Sequence, residues 1–310
     1  MSHVSDTPVR SDAAQSGRAR RSAGRSAGHV ARHGVNFFGV LKSEWIKFWS
    51  LRSTRILLVV TLVSMIGVGT LVAYMRSLIY EPIVSGFRDA GAPVTISEID
   101  ESLPPELSFY TLPASGLQLG AIIIGALAVL FMASEYATGM IRSSFAATPK
   151  RLPVFAAKAI VIIVGAYVIG LIATLMTFFL ANVVISGLGV SLSFDTLGVL
   201  PGILLGGFYV AGVALAGLAL ATLMRNSAGA IMVLLGAFFI LGFTGGLLAQ
   251  IPGDFWKNVP QYLPSQAAGR MIEIGQVPGY LDPLPAALVF LGWILLVLVP
   301  ALIFMKRRDA

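Results

Sequence analysis

The chain alternates long apolar stretches with short polar ones, and six of the apolar stretches contain no Asp, Glu, Lys, Arg or His. About 20 apolar residues, at a helical rise of 1.5 Å, cross a hydrocarbon core about 30 Å thick. Helix is the conformation that satisfies backbone polar groups within such a segment. We therefore predict six transmembrane helices, at residues 56–75, 116–133, 159–185, 199–223, 228–250 and 286–305.

The composition agrees with an integral membrane protein of the all-α class. Hydrophobic residues make up 56% of the 310 positions and charged residues 12%, against about 25% charged in soluble domains. This excludes a water-soluble globule. The chain has no cysteine, which excludes disulfides, thiolate metal sites and cysteine nucleophiles.

The basic residues predict the orientation of the six spans. If the N-terminus lies inside, every Lys and Arg falls on the inner side except Arg76, Arg88, Lys257 and Arg270. Such an excess is typical of cytoplasmic loops, so both termini are predicted to be cytoplasmic and the protein to lie in the cell membrane. The same distribution argues against nucleic acid as a partner, because no groove-reading or base-stacking motif accompanies the charge.

Residues 1–35 are predicted to form a disordered, basic cytoplasmic tail, and residues 36–310 the six-span domain. The tail is rich in Arg, Ser, Ala and Gly and offers too little apolar surface to fold. Two roles stay open for it. Its arginines would suit anionic membrane lipids, or it is a solvated tail without a specific role.

An amphipathic pattern precedes the first span, in residues 36–55. Apolar side chains recur at helical spacing at Phe37, Leu41, Trp45 and Phe48. We predict a helix lying in the inner head-group layer, because the charges of this segment disfavour an extension of the first span. Its candidate functional residues are Glu44, Trp45, Lys47 and Trp49.

The loop between the second and third spans, residues 134–158, contains a short amphipathic segment. Glu135 stands where the second span ends, Thr138 is a candidate N-cap, and Ile141 and Phe145 are four residues apart. Pro149 and Pro153 are predicted to interrupt helix. The segment is either a helix packed on the membrane surface or a docking site for a cytoplasmic partner.

The loop resembles that of ABC-2-type ABC transporter permeases. The resemblance rests on a Glu, a Thr-Gly pair, an Arg, a Pro with a following basic residue, and an Ala-Lys entering the third span, which are here Glu135, Thr138, Gly139, Arg142, Pro149, Arg151, Ala157 and Lys158. "SEWIKFWSLRST" resembles the family's connecting helix. "YLPSQAAGRMIE" resembles its exterior segment, which forms short helices dipping into the membrane.

The resemblance implies a function and a set of partners. Two six-span subunits, identical or related, would pair to form the translocation pathway of an ATP-driven exporter. Residues 138–147 would be the coupling helix, docked on a separate cytoplasmic ATPase subunit that holds ATP and Mg. Glu135 and Arg142 would contact that subunit or brace the connecting helix.

The motor itself is not expected in this chain, which contains no G-x-x-x-x-G-K-[ST] motif. No cofactor, catalytic residue or metal ligand is predicted, because paired carboxylates, metal-ligand spacing and a nucleophile elbow are missing from the sequence. A secondary carrier or membrane scaffold acting without an ATPase is the alternative. The uncharged spans argue against a coupled carrier, since such carriers usually keep ionisable groups at mid-membrane.

Small residues four apart recur in the fourth span and predict close helix packing, or else a hinge or substrate-lining role. The glycines concerned are Gly202, Gly206, Gly207, Gly212 and Gly217.

Overall fold

The computed structural model describes residues 36–91, 94–104, 107–139, 151–196, 198–248, 250–273 and 281–307. Within these ranges the regular structure is entirely helical. The α-helices are α1 (Phe37–Ser50), α2 (Arg52–Asp89), α3 (Ile96–Glu101), α4 (Leu117–Ala137), α5 (Arg151–Ser186), α6 (Val199–Met224), α7 (Ser227–Leu248), α8 (Asp254–Asn258), α9 (Pro264–Ile272) and α10 (Pro283–Arg307). Two 3-10 helices, Phe109–Ala114 and Val259–Tyr262, precede α4 and α9.

The six predicted spans are confirmed as helices. In the part of the chain that the structure describes, six helices are long and apolar enough to cross a membrane: α2, α4, α5, α6, α7 and α10. Their apolar stretches coincide with the predicted ones, because a long uncharged run has no soluble alternative in which to bury its surface. The protein therefore has the architecture of a multi-pass membrane protein.

The ends of two spans differ from the sequence prediction. α2 continues from the first predicted span to Asp89, so the polar residues after position 75 extend the helix instead of ending it. α5 begins at Arg151, and Pro153 does not interrupt it. Proline is tolerated in the first turn of a helix, where its missing N–H has no partner to lose.

α4 and α6 form the centre of the bundle. Of the most apolar 18 residues of each helix, 67% are buried in α4 and in α6, whereas 11% are buried in α7 and 22% in α10. The main hydrophobic core lies between α4, α5 and α6 and includes Ile124, Ile162 and Val210. α7 and α10 flank this centre and keep most of their apolar surface exposed.

The glycines of α6 lie where other helices approach closely. A Cβ at Gly206 would stand 2.5 Å from Thr174 Oγ1, and one at Gly212 would stand 2.6 Å from Phe290 Cε1. A Cβ at Gly217 would meet the backbone oxygen of Gly125 at 2.5 Å. Gly202 is also buried, and Gly207 abuts Tyr167. The small residues thus permit contacts between helices that a side chain would prevent.

A short helical segment folds into the bundle between α7 and α10. It consists of α8, the 3-10 helix Val259–Tyr262 and α9, and Ala267 and Met271 of α9 are fully buried. Trp293 Nε1 of α10 donates a hydrogen bond to Tyr262 O at 2.9 Å. This segment closes one end of the space between α6, α7 and α10.

Candidate functional site

Three charged side chains are buried where α1, the end of α4 and the start of α5 meet. Glu44, Glu135 and Lys158 are 1%, 5% and 1% exposed. Each comes from a different helix of the bundle. Charged groups are almost never fully buried unless they are paired, so this cluster identifies the strongest candidate site among the described residues.

Two lysines and two glutamates form one ion-pair network. Lys158 Nζ donates to Glu44 Oε2 at 2.6 Å and to Glu135 Oε1 at 3.0 Å. Lys47 Nζ donates to Glu44 Oε1 at 2.6 Å and to Glu135 Oε1 at 3.1 Å. Each ammonium therefore bridges α1 to the end of α4, and Lys158 adds α5. We refer to Glu44, Lys47, Glu135 and Lys158 as the ion-pair network.

Aromatic rings cover the buried side of the ion-pair network. Lys158 Nζ lies 3.9 Å from the centre of the Phe131 ring, a distance suited to a cation–π interaction. Phe131 in turn packs edge-on against Phe48, with ring centres 5.4 Å apart. The ammonium of Lys158 thus contacts two carboxylates and an aromatic face.

The charges of the ion-pair network balance. Burial alone lowers the pKa of Lys47, but hydrogen bonds and attraction from Glu44 and Glu135 outweigh it, and the pKa is raised above its ordinary value of 10.5. Removing one partner of such a cluster leaves an uncompensated buried charge, which costs about 3–5 kcal/mol. Glu135 Oε2 is buried and has no hydrogen-bond partner among the described residues.

The ion-pair network flanks the loop that was predicted to be a coupling helix. Glu135 lies in the last turn of α4 and Lys158 in the second turn of α5, so the two ends of the loop meet at one cluster. Ile141, Arg142, Phe145 and Pro149 lie outside the described residues. The backbone of Arg151 begins α5.

Thr138 and Gly139 end α4. Thr138 is the C-cap residue of α4, and its hydroxyl donates a hydrogen bond to Ser134 O, in the last turn of the helix, at 2.8 Å. Gly139 has φ = +70°, the left-handed conformation in which glycine commonly follows a helix. The helix that Thr138 was predicted to begin lies outside the described residues.

The two tryptophans of α1 stand apart from the ion-pair network. Trp45 and Trp49 remain exposed, with ring centres 5.8 Å apart. The face of α1 that packs on the bundle consists of Val40, Glu44 and Phe48. Of the candidate residues on α1, Glu44 and Lys47 therefore belong to the site and the tryptophans lie beside it.

Phe131 was not predicted. Lys158 was named in the resemblance, as the lysine that enters the third span, but no role at the site was predicted for it; it is a single lysine at the edge of a long apolar run, "AAKAIVIIV". Its two glutamate partners are 23 and 114 residues away in the chain. Periodicity along one helix gives no information on such pairs.

Comparison with protein-family models gives no match for this chain, and comparison with curated proteins gives none either.

Proposed function

We propose that this protein is the membrane-spanning subunit of an ATP-driven exporter, which works as a pair of six-span chains with a separate ATPase. The ATPase docks on residues 138–147, the predicted coupling helix. Movement of that segment is passed to the spans by the ion-pair network. Transport is the role of this chain, and ATP hydrolysis, with Mg, is that of its partner.

The position of the ion-pair network is the observation that supports the proposal best. A force applied to the loop reaches α4 and α5, whose adjoining ends carry Glu135 and Lys158. Both side chains are also tied to α1 through Glu44 and Lys47 at 2.6–3.1 Å. Three helices would therefore move together when the loop is displaced, which is the property that a coupling device needs.

The contact between Glu135 and Lys47 favours one of the two roles considered for Glu135. A carboxylate that is 5% exposed and paired to α1 is poorly placed to bind a cytoplasmic subunit directly. We propose that it braces the connecting helix α1. Docking then depends on the loop side chains, of which Ile141 and Phe145 carry the predicted apolar face.

The first test is purification of the full chain from its native membrane in mild detergent, followed by mass spectrometry. We expect a stoichiometric ATPase with a Walker motif, whose hydrolysis is stimulated by the complex. The double variant Ile141→Asp/Phe145→Asp should insert normally and lose this ATPase. The matched control is Ser143→Asp/Ala147→Asp, which places two carboxylates four residues apart on the opposite face.

One result would overturn the exporter proposal, and a second would overturn the docking face alone. A stable preparation without any ATPase at low and high salt would favour a carrier or a scaffold. Equal loss of the ATPase in the test and control variants would show that added charge, and not the predicted face, disrupts the complex.

A second variant separates docking from transmission. Glu135→Leu/Lys158→Met removes one carboxylate and one ammonium, so the net charge is unchanged and Glu44 keeps Lys47. We expect the ATPase to remain bound and its stimulation to fall. The control Asp254→Asn/Lys257→Gln removes an exposed pair, 3.9 Å apart, and should leave stimulation unchanged.

A further inference from the structure

Two adjoining cavities lie within the bundle, and the second is near the end opposite to the ion-pair network. α4 runs between the two regions: Glu135 is in its last turn, and Gln118 in its first turn lines one of the cavities. The first cavity has a volume of about 180 Å³ and the second about 280 Å³. Tyr209, Phe238 and Ser265 line both. Taken together, the cavities reach the range of roughly 300–1,000 Å³ that is typical of ligand sites.

The first cavity, which we call the apolar chamber, lies between α6, α7, α9 and α10. Apart from Ser265, its wall is formed by aliphatic and aromatic side chains, among them Val213, Ala216, Ala237 and Trp293. A chamber of this kind gains free energy from burying an alkyl or aromatic group. It offers almost nothing to a charged one.

The second cavity, the polar chamber, is lined by Arg76, Thr111, Gln118 and Glu273 as well as by apolar residues. Glu273 is already paired, because Arg270 Nη1 lies 2.6 Å from its Oε2. Arg76 Nη1 donates to Ser108 O at 3.2 Å and to Thr111 Oγ1 at 2.5 Å. Among the described residues no carboxylate pairs with Arg76, so its charge is uncompensated there.

Ser265 provides an independent sign that the shared wall is built for a ligand. Its Oγ is buried and has no hydrogen-bond partner among the described residues. Buried hydroxyls are normally satisfied, and each exception calls for an explanation. This one stands at the border between the apolar and the polar chamber, where a ligand's polar group would meet its alkyl part.

We propose that the two chambers form one binding site for an amphiphile with an anionic head group, a phosphate or a carboxylate. The alkyl or aromatic part occupies the apolar chamber. The anion lies in the polar chamber and accepts hydrogen bonds from the guanidinium N–H groups of Arg76 that Ser108, Thr111 and Tyr80 do not use. The site is a property of this chain and stands whether or not an ATPase partner exists.

Trp293 lines the apolar chamber and supplies the readout. The full chain carrying Trp45→Phe, Trp49→Phe and Trp256→Phe retains Trp293 as its one tryptophan. In phosphatidylcholine nanodiscs, brominated dodecyl phosphate should quench its fluorescence saturably, and unbrominated dodecyl phosphate should restore it. Brominated dodecanol, which lacks the anion, should bind at least about tenfold more weakly, since a hydrogen bond to a charged group is lost.

Two sets of variants assign the effect to the chambers. Arg76→Gln should weaken the binding of dodecyl phosphate about tenfold and leave the binding of dodecanol unchanged. Arg88→Gln is its control, since Arg88 is on the same helix but donates to Leu188 O. Ala216→Phe and Ala237→Phe should abolish saturable quenching by filling the apolar chamber, whereas Leu288→Phe, at an exposed position of α10, should not.

Three results would overturn the proposal. Quenching that rises linearly with the probe would show partition into lipid only. Equal effects of Arg76→Gln and Arg88→Gln on the binding of dodecyl phosphate would show that Arg76 does not bind the anion. If inorganic phosphate displaces the probe as effectively as dodecyl phosphate does, the site binds phosphate and does not require an amphiphile. A variant counts only if its melting temperature is that of the parent, which is why two chamber-filling variants are used.

Discussion

Lys158 has an environment that is unusual for a lysine in a hydrophobic chain. It is 1% exposed, contacts Glu44 and Glu135, and lies against the ring of Phe131. A buried ion pair as a whole contributes little net stability, because desolvation offsets attraction. Its members nevertheless depend on one another, so the loss of one is expensive.

Replacing Lys158 by Met should destabilise the protein by about 3–5 kcal/mol, because Glu44 and Glu135 would share Lys47 alone. Thermal unfolding of the purified variant in detergent measures the effect. The control Lys257→Met removes a lysine with 66% side-chain exposure and should have almost no effect. Equal melting temperatures for Lys158→Met and the parent would contradict the buried network.

The raised pKa of Lys47 predicts that the protein loses stability at alkaline pH. Burial lowers its pKa, but the contacts with Glu44 and Glu135 outweigh burial and raise the pKa above 10.5. The folded protein therefore holds this proton more tightly than the unfolded chain does. The contribution of Lys47 to the free energy of unfolding is complete below pH 10.5 and is lost as the pH rises through the pKa of the folded state. Melting temperatures of the parent and of Lys47→Met should converge above that pH.

The exposed Lys42 of the same helix provides the comparison for Lys47. Lys42→Met should change the melting temperature little at neutral pH, because Lys42 pairs with no carboxylate among the described residues. A difference between the parent and Lys47→Met that stays constant above pH 10.5 would show that the Lys47 ammonium is not stabilised by the two carboxylates.

At the scale of helices, the structure separates what a sequence pattern can predict from what it cannot. Six uncharged runs predicted six helices, because a hydrocarbon core leaves a long apolar segment no other conformation. The ends were harder. α2 continues through polar residues to Asp89 and α5 starts before Pro153, since neither polarity nor a proline in the first turn forbids helix.

The candidate site was predicted only in part, for a different physical reason. Glu44, Lys47 and Glu135 were selected as candidates from local pattern and resemblance. Lys158 was named in the resemblance without a role, and only contacts between residues far apart in the chain make it a member of the site. Helical periodicity tells which residues share a face, but not which face of another helix it meets. Ion pairs between helices therefore required the packed structure.

Contacts between helices make Gly217 sensitive to the smallest substitution. Gly217→Ala would bring a methyl group 2.5 Å from the backbone oxygen of Gly125, and a backbone cannot rotate away as a side chain can. We expect a loss of about 1–3 kcal/mol, typical of overpacking. Thermal unfolding of Gly217→Ala measures this loss directly.

Gly292 is the matched control for Gly217, because no atom lies within 4 Å of a Cβ built on it. Gly292→Ala should be neutral or slightly stabilising, as alanine favours helix over glycine by up to about 1 kcal/mol. If both glycine variants unfold alike, α4 and α6 do not approach one another at Gly217 as closely as described.

For the molecule as a whole, the predicted orientation has a direct test because the chain contains no cysteine. Single cysteines can be introduced without removing native ones. A membrane-impermeant maleimide should label Ser97→Cys and Lys257→Cys in intact cells, and Ser5→Cys and Asp309→Cys only after permeabilisation. The reverse pattern would place the termini outside and contradict the distribution of Lys and Arg.

The ion-pair network also has a consequence for biosynthesis, because its members emerge from the ribosome in the order Glu44, Lys47, Glu135 and Lys158. When α4 is inserted, two carboxylates share one lysine. Only after the first two turns of α5 have been synthesised do the charges balance. A chain that stalls before this point carries an uncompensated carboxylate beside its second span, so the second and third spans reach their final packing only when both have been made.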